Sequence, residues 1–316
     1  MKSIIGLMIL LTSVLVGWAE ASTRPLFAGQ HHQIGEVETY YQGTQLVVNA
    51  TVTEVGWCLA RSHLYVGETE PASSAPGQFP YSHELGCALS DTYTIDVNAV
   101  DHYVAYHAES KQSSFPIGGT VSYEVNFPGD NSYFDATIDG DGPYNAWCMD
   151  LGRTIRSGTT YTNCELRSLN DPDLGIVDQE QNLGYVSWIL NQEWSLYPQY
   201  SWQDIQGAIW KLTDDTNPVG GAGGISWNEA NALAIVALAI ANGGDYQADS
   251  FEGLVLLCRN EAGAVAQQIT VVAVPAYNFF IGEETAWAEG DSNWYNKKGR
   301  RVGWGSYWVE PYIIWH

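Results

Sequence analysis

Between Thr44 and Val55 apolar and polar residues alternate (TQLVVNATVTEV), which predicts a half-buried strand. The same period of two returns in SHLYVG (Ser62–Gly67), TYTIDV (Thr92–Val97) and HYVAYHA (His102–Ala108). The Pro- and Gly-bearing stretch between the second and third of these, ETEPASSAPGQFPYSHELG, reads as a loop without regular structure. From Leu26 to about Ser110 the pattern is that of a β-sandwich. Two more strands follow, TVSYEVNF (Thr120–Phe127) and SYFDATI (Ser132–Ile138), then the turn Asp139-Gly140-Asp141-Gly142 and the segment YNAWCMDLGRTI (Tyr144–Ile155). The period then lengthens to that of a helix. Leu183, Val186 and Leu190 share one face behind a capping box of Asp178 and Gln181. Ile205, Ala208, Ile209 and Leu212 do so behind Ser201 and Asp204. Ser226 with Glu229 opens a third helix, which Asn242-Gly243-Gly244 closes, and LVLLC (Leu254–Cys258) and AQQITVVAV (Ala266–Val274) return to strand. The expected fold is mainly β with an α+β insertion.

The N-terminus changes the picture of where such a chain works. Lys2, the apolar stretch Ile4–Val16 and the small-x-small pattern Ala19-Glu20-Ala21 have the form of a cleaved export signal over residues 1–21, with Ser22 the first mature residue. Its apolar core is shorter than the roughly 20 residues a span requires, and the alanine-rich Ala230–Ala241 is shorter still, so no transmembrane segment is expected. The chain is expected to be secreted, extracellular or associated with a cell surface. A net charge of −23 argues against a nucleic-acid partner. Thirteen tryptophans and nineteen tyrosines suit an extracellular β protein without naming a ligand. Five cysteines, Cys58, Cys87, Cys148, Cys164 and Cys258, leave one over in an oxidising compartment.

FAGQHHQIGEVE, WCLARSHLYVG, APGQFPYSHE and YVAYHAES resemble a domain repeated in secreted bacterial and archaeal proteins. In that domain the closing segment follows directly. Here ETAWAEG (Glu284–Gly290) and Gly303–Trp308 arrive about 170 residues late, as an insertion at a tolerant loop would cause. Residues 22–112 and 282–316 therefore read as one discontinuous β-sandwich domain, with 113–281 inserted. Cys58 and Cys87, both in the outer part, are natural disulfide partners. The outer part also holds His31, His32, His63, His83, His102 and His107, none at a spacing diagnostic of a metal, and no metal site is assigned.

In the insertion, a cysteine between Trp147 and Met149 precedes a helix in which Gln206 is followed by Gly207, Ala208, Ile209 and Trp210. With the W-I-L-N helix between them, these motifs resemble the thioester domain of bacterial surface adhesins, over roughly residues 115–275. That resemblance implies an internal thioester between Cys148 and Gln206, with ammonia expelled. It implies single-turnover acylation of an amine on a protein or polymer outside the cell, another copy of the chain included, and no turnover enzyme. A thioester acylates amines readily because thiolate leaves well. It survives only where water is excluded, and Tyr144, Trp147, Tyr185, Trp188 and Trp210 are the shielding candidates. Cys164 and Cys258 would then form the second disulfide; a Cys148–Cys164 bridge is the competing arrangement, with Gln206 capping a neighbouring main-chain group. Gly207 inside a helix costs about 1 kcal/mol, which either counts against the resemblance or marks close packing at the bond.

No G-x-S-x-G, H-E-x-x-H or phosphate-binding loop is present, Asp139 and Asp141 do not complete a calcium loop, and no cofactor is expected. Two other functions fit the composition. One is non-covalent carbohydrate binding by exposed Trp287, Trp294, Trp304 and Trp308. The other is a structural subunit of an extracellular filament or layer.

Overall fold

The computed structural model describes residues 21–312 except 172, 173, 245, 247, 261 and 297. Apart from Ala21 the segment read as an export signal lies outside the described residues, as do residues 313–316. The first seven strands are β1 (Ser22–Ala28), β2 (His32–Gln42), β3 (Gln45–Val52), β4 (Trp57–Gly67), β5 (Tyr81–Ala88), β6 (Ser90–Asp96) and β7 (His102–Ser113). Four strands follow, β8 (Thr120–Asn126), β9 (Phe134–Ile138), β10 (Asp141–Cys148) and β11 (Thr159–Ser168). Next come helices α1 (Leu183–Leu190) and α2 (Trp202–Thr213), the small hairpin β12 (Gly221–Ala222) and β13 (Ile225–Ser226), and helix α3 (Glu229–Asn242). The chain finishes with β14 (Phe251–Cys258), β15 (Thr270–Pro275), β16 (Phe280–Ala288), β17 (Ser292–Tyr295) and β18 (Arg301–Glu310). The protein is mainly β and antiparallel, as the alternation predicts.

Two sheets share these strands. The first runs β17-β18-β7-β16-β1-β2-β3-β6, with β4 on the other edge of β7 and β5 beyond it. It closes over Leu26, Ile34, Val48, Leu59, Tyr106 and Trp308, all out of contact with water. The second is a closed barrel, β10-β15-β14-β11-β8-β9, whose core of Tyr123, Leu166, Leu256 and Val271 is shared with the helices. Ser113 at the end of β7 and Phe280 at the start of β16 are register partners, and Ser114 N–H donates to Phe279 O at 2.7 Å. The barrel segment thus leaves and re-enters the first sheet at one place. An excursion whose ends are already paired costs the host little, because closure entropy grows only with the logarithm of length.

Both disulfides expected from the sequence are present. Cys58–Cys87 joins β4 to β5, and its buried half-cystines pack in the same apolar cluster as the barrel, beside Ile117. Cys164–Cys258 joins directly paired residues of β11 and β14. No helix among the described residues is long and apolar enough to cross a membrane.

Local expectations fare unevenly. The Ser201/Asp204 capping box forms in full at α2. The Asp178/Gln181 box does not form. Asn182 is the N-cap residue of α1 without a side-chain cap bond, Asp178 accepts from Asp215 N–H, and Gln181 donates to Gln179. At α3 the capping residue is Asn228, not Ser226, and Glu229 turns away to pair with Lys211 at 2.7 Å. The stretch read as a structureless loop contains a short 3-10 turn at Pro76–Gln78 and the whole of β5 up to Gly86.

One buried charge sits near the junction. Glu252 on β14 is 7% exposed, and its Oε2 has no hydrogen-bond partner among the described residues. Burial pushes its carboxyl up to about 7, against a smaller downward pull from Lys111. The folded value lies above the ordinary 4.5, so this group's contribution to stability is fully present below pH 4.5 and is lost as pH rises through about 7. Glu252→Gln is expected to remove that loss. In urea titrations the variant should match the wild type at pH 4.5 and exceed it by on the order of 3 kcal/mol at pH 8.

Candidate functional site

The free cysteine and the helix glutamine meet at an edge of the barrel. Main-chain pairing of β10 with β9 stops at Ala146↔Phe134, while on its other side β10 continues to pair with β15 as far as Cys148↔Thr270. That leaves the N–H and C=O of Cys148 with no strand partner on the β9 side. The Gln206 side chain supplies both bonds: Cys148 N–H donates to Oε1 at 2.9 Å, and Nε2 donates to Cys148 O at 2.8 Å. The carboxamide therefore stands in for one more residue of the missing strand. Cys148 and Gln206 are both fully shielded from solvent.

Around the sulfur the groups are arranged as follows. Cys148 Sγ donates to Asp150 O at 2.7 Å, and Gln268 Nε2 donates to the same carbonyl at 3.0 Å. The Asp150 carboxylate accepts from Ile269 N–H at 2.8 Å and from Arg153 N–H at 3.0 Å, and Asp214 accepts from Leu151 N–H at 2.8 Å. These two buried carboxylates hold the turn after Cys148 in place. Burial pushes the Cys148 thiol well up from its ordinary range, and the charges of Asp150 and Asp214 add to the push. The Trp210 indole pulls the other way and lowers it, while its N–H has no hydrogen-bond partner among the described residues.

Of the shielding candidates, Trp210 and Trp147 are buried at the pair, at 0% and 5% exposure. Tyr144 is partly exposed, bonded to Asp141 and edge-on to Phe115. Tyr185 and Trp188 pack instead over Gly243, and Trp188 meets Trp194 edge-on. Other aromatics complete the shell. Tyr133 meets Trp210 edge-on at 5.4 Å and donates to Gly223 O at 2.7 Å, and Trp227 lies 5.7 Å from Trp210. Burial pushes the Tyr133 phenol up to about 12, with Cys148 contributing. The sequence signal for this layer was the glycine pattern. A Cβ on Gly207 would fall 2.7 Å from the Trp227 ring, and one on Gly223, where φ is +56°, would fall 2.8 Å from Trp210.

The tryptophans offered as an exposed sugar-binding surface are placed otherwise. Trp308 is wholly buried, and Trp287 and Trp294 are 7% and 8% exposed in a second aromatic cluster with Phe79 and Tyr307. Only Trp304 of the four is partly open. Among the histidines, His83 bonds Asp91 at 2.7 Å and stacks on Tyr93, while burial beside His63 pushes His107 down to about 3. Asp178, Asp214 and Asp215 bring one carboxylate oxygen each within 4.8 Å of one another, a grouping the sequence did not suggest.

The close fit of helix and indole has a measurable cost when violated. Gly207→Ala should lower stability by about 1–3 kcal/mol through overpacking, despite a helix-propensity gain of up to about 1 kcal/mol. Calorimetric melting should show the loss shrinking in the Gly207→Ala/Trp227→Leu double variant, because the two changes share one contact.

No known protein family, no curated protein and no solved structure matches the chain.

Proposed function

We propose that this chain is a secreted attachment protein, which joins Cys148 and Gln206 in an internal thioester and uses it to acylate an amine on a partner surface or polymer. The observation that carries the proposal is the Cys148–Gln206 pairing. The one cysteine outside the two disulfides is buried, and the residue whose main chain it shares is held at both polar groups by the carboxamide it would attack.

The chemistry follows from that arrangement. Cys148 sulfur adds to the Gln206 carboxamide carbon; the C–N bond breaks, the thiol proton leaves with the nitrogen as ammonia, and an S–C bond remains. Cys148 N–H, 2.9 Å from Oε1, donates to the oxygen on which negative charge develops. Hydrolysis competes only if water reaches the carbon, and both residues are fully shielded. When an amine adds to the same carbon, the S–C bond breaks, the amine proton passes to sulfur, and a secondary amide joins Gln206 to the partner. The buried Trp210 N–H, which has no hydrogen-bond partner among the described residues, is the donor available to the departing sulfur. Each molecule reacts once, so the role is covalent adhesion and not turnover. Two disulfides support a location outside the reducing cytoplasm.

The same clamp, unreacted, would satisfy two buried main-chain groups, and mass measurement separates the two roles. Fresh mature protein should be lighter by one ammonia than its sequence with two disulfides. Cys148→Ala should abolish the deficit. Methylamine should add to Gln206 in the wild type and release one titratable thiol, while a wild-type mass equal to the intact amide would remove the covalent function. Gln206→Ala should also abolish the deficit, and should cost about 1–3 kcal/mol of stability for each main-chain group it orphans.

A further inference from the structure

One residue from the pair along both β10 and α2, on the face of β10 opposite the Cys148 side chain, lies a groove that the acylation chemistry does not use. Its volume is about 530 Å³, and it is lined by Trp147 and Ile205, the residues immediately before Cys148 and Gln206. Trp194, Tyr200 and Trp202 provide further aromatic walls, each partly open to solvent. Trp194 is fixed by its indole N–H donating to Ile189 O at 2.9 Å and by Tyr200 edge-on at 5.8 Å. The polar groups between these walls are the side-chain amides of Asn131, Asn145 and Gln192 and the hydroxyl of Ser195. No charged residue lines it.

This chemistry selects a class of occupant. Flat aromatic faces with neutral amides fit a sugar ring, which offers C–H faces to the rings and hydroxyls to the amides. A lysine side chain presents an ammonium that an uncharged groove does not compensate, and its high pKa leaves little free amine to attack the thioester. The chain as a whole carries −23, which draws polycations towards it over long range. A polymer that is cationic overall yet presents pyranose rings satisfies both the groove and the field.

We infer that the groove formed by Trp147, Trp194, Tyr200 and Trp202 is the recognition site for a glycan bearing free amino groups, and that it delivers such an amine to the Gln206 acyl carbon. The inference rests on the proposed thioester. It requires no reactant beyond the glycan amine, which replaces sulfur on the acyl carbon and returns its proton to Cys148.

The test uses the full mature chain. Adducts at Gln206 are timed by intact mass with glucosamine oligosaccharides, a lysine peptide of equal amine count, and methylamine, each at equal free-amine concentration. The oligosaccharide should react at least tenfold faster than methylamine. In Trp202→Ala and in Ser195→Trp, which fills the groove without removing packing, that ratio should fall towards one, with folding checked by circular dichroism. Separately, Cys148→Ala protein should bind N-acetylglucosamine oligosaccharides in calorimetry, and Ser195→Trp should abolish this. Equal rates for all three amines, or a faster lysine peptide, would overturn the glycan assignment while leaving the thioester intact. If no amine reacts but Cys148→Ala protein still binds the acetylated sugar, the thioester fails and the groove stands as a sugar site. Absence of binding would overturn it.

Discussion

A barrel strand that outlasts its neighbour must find other partners for its main chain. β10 runs two residues past its last pair with β9, and a buried N–H and C=O left unmet would cost a few kcal/mol. The Gln206 carboxamide meets both, which fixes the position of α2 on the barrel and sets a carboxamide against the main chain of the only free cysteine among the described residues. Much else follows from that anchorage. The Asp150 and Asp214 carboxylates order the turn beyond Cys148, and the space between α2 and the β12–β13 hairpin is narrow enough that glycine is required at Gly207 and Gly223. The aromatic layer of Tyr133, Trp210 and Trp227 fills what remains.

Burial and reactivity are set against each other at this point. A dry environment protects a thioester from water but raises the thiol's pKa and makes sulfur a poorer nucleophile and leaving group. The Trp210 indole partly offsets that penalty by drawing the thiol's pKa back down. The groove bounded by Trp147 and Ile205 lies one residue from this centre along both β10 and α2.

How much of this could be read from the residues depends on how strongly each segment alternates. β3 places Leu46, Val48, Ala50 and Val52 inward and is obvious from its letters. β11 is not, because its buried positions include Cys164 and Ser168, and only Leu166 among them is a large aliphatic. β5 begins with four residues that face water at least in part, so its register comes from pairing with β4 and its tie through Cys58–Cys87. The α3 cap was misread because Ser226 and Asn228 both offer a capping side chain two residues apart, and the hairpin before the helix takes up Ser226. Trp287 and Trp308 were taken as surface groups because a strand's letters do not reveal that both of its faces are covered, here by two separate cores. Cysteine parity was informative since pairing is a discrete choice. The meeting of Cys148 with Gln206, 58 residues apart, has a cause that no local pattern carries: β9 begins only at Phe134, opposite Ala146.

The register of Ser113 with Phe280 has a mechanical meaning. A pull applied to the barrel reaches the first sheet through two covalent strands at once, and both strands are drawn in the same direction. Their mutual ladder is then not peeled apart. The tension is passed sideways, as shear, into β4 on the outer edge of β7 and into β1 on the outer edge of β16. Shear loads many hydrogen bonds together where peeling would break them one at a time, so the connection gives the molecule a tether whose strength is that of the whole sheet.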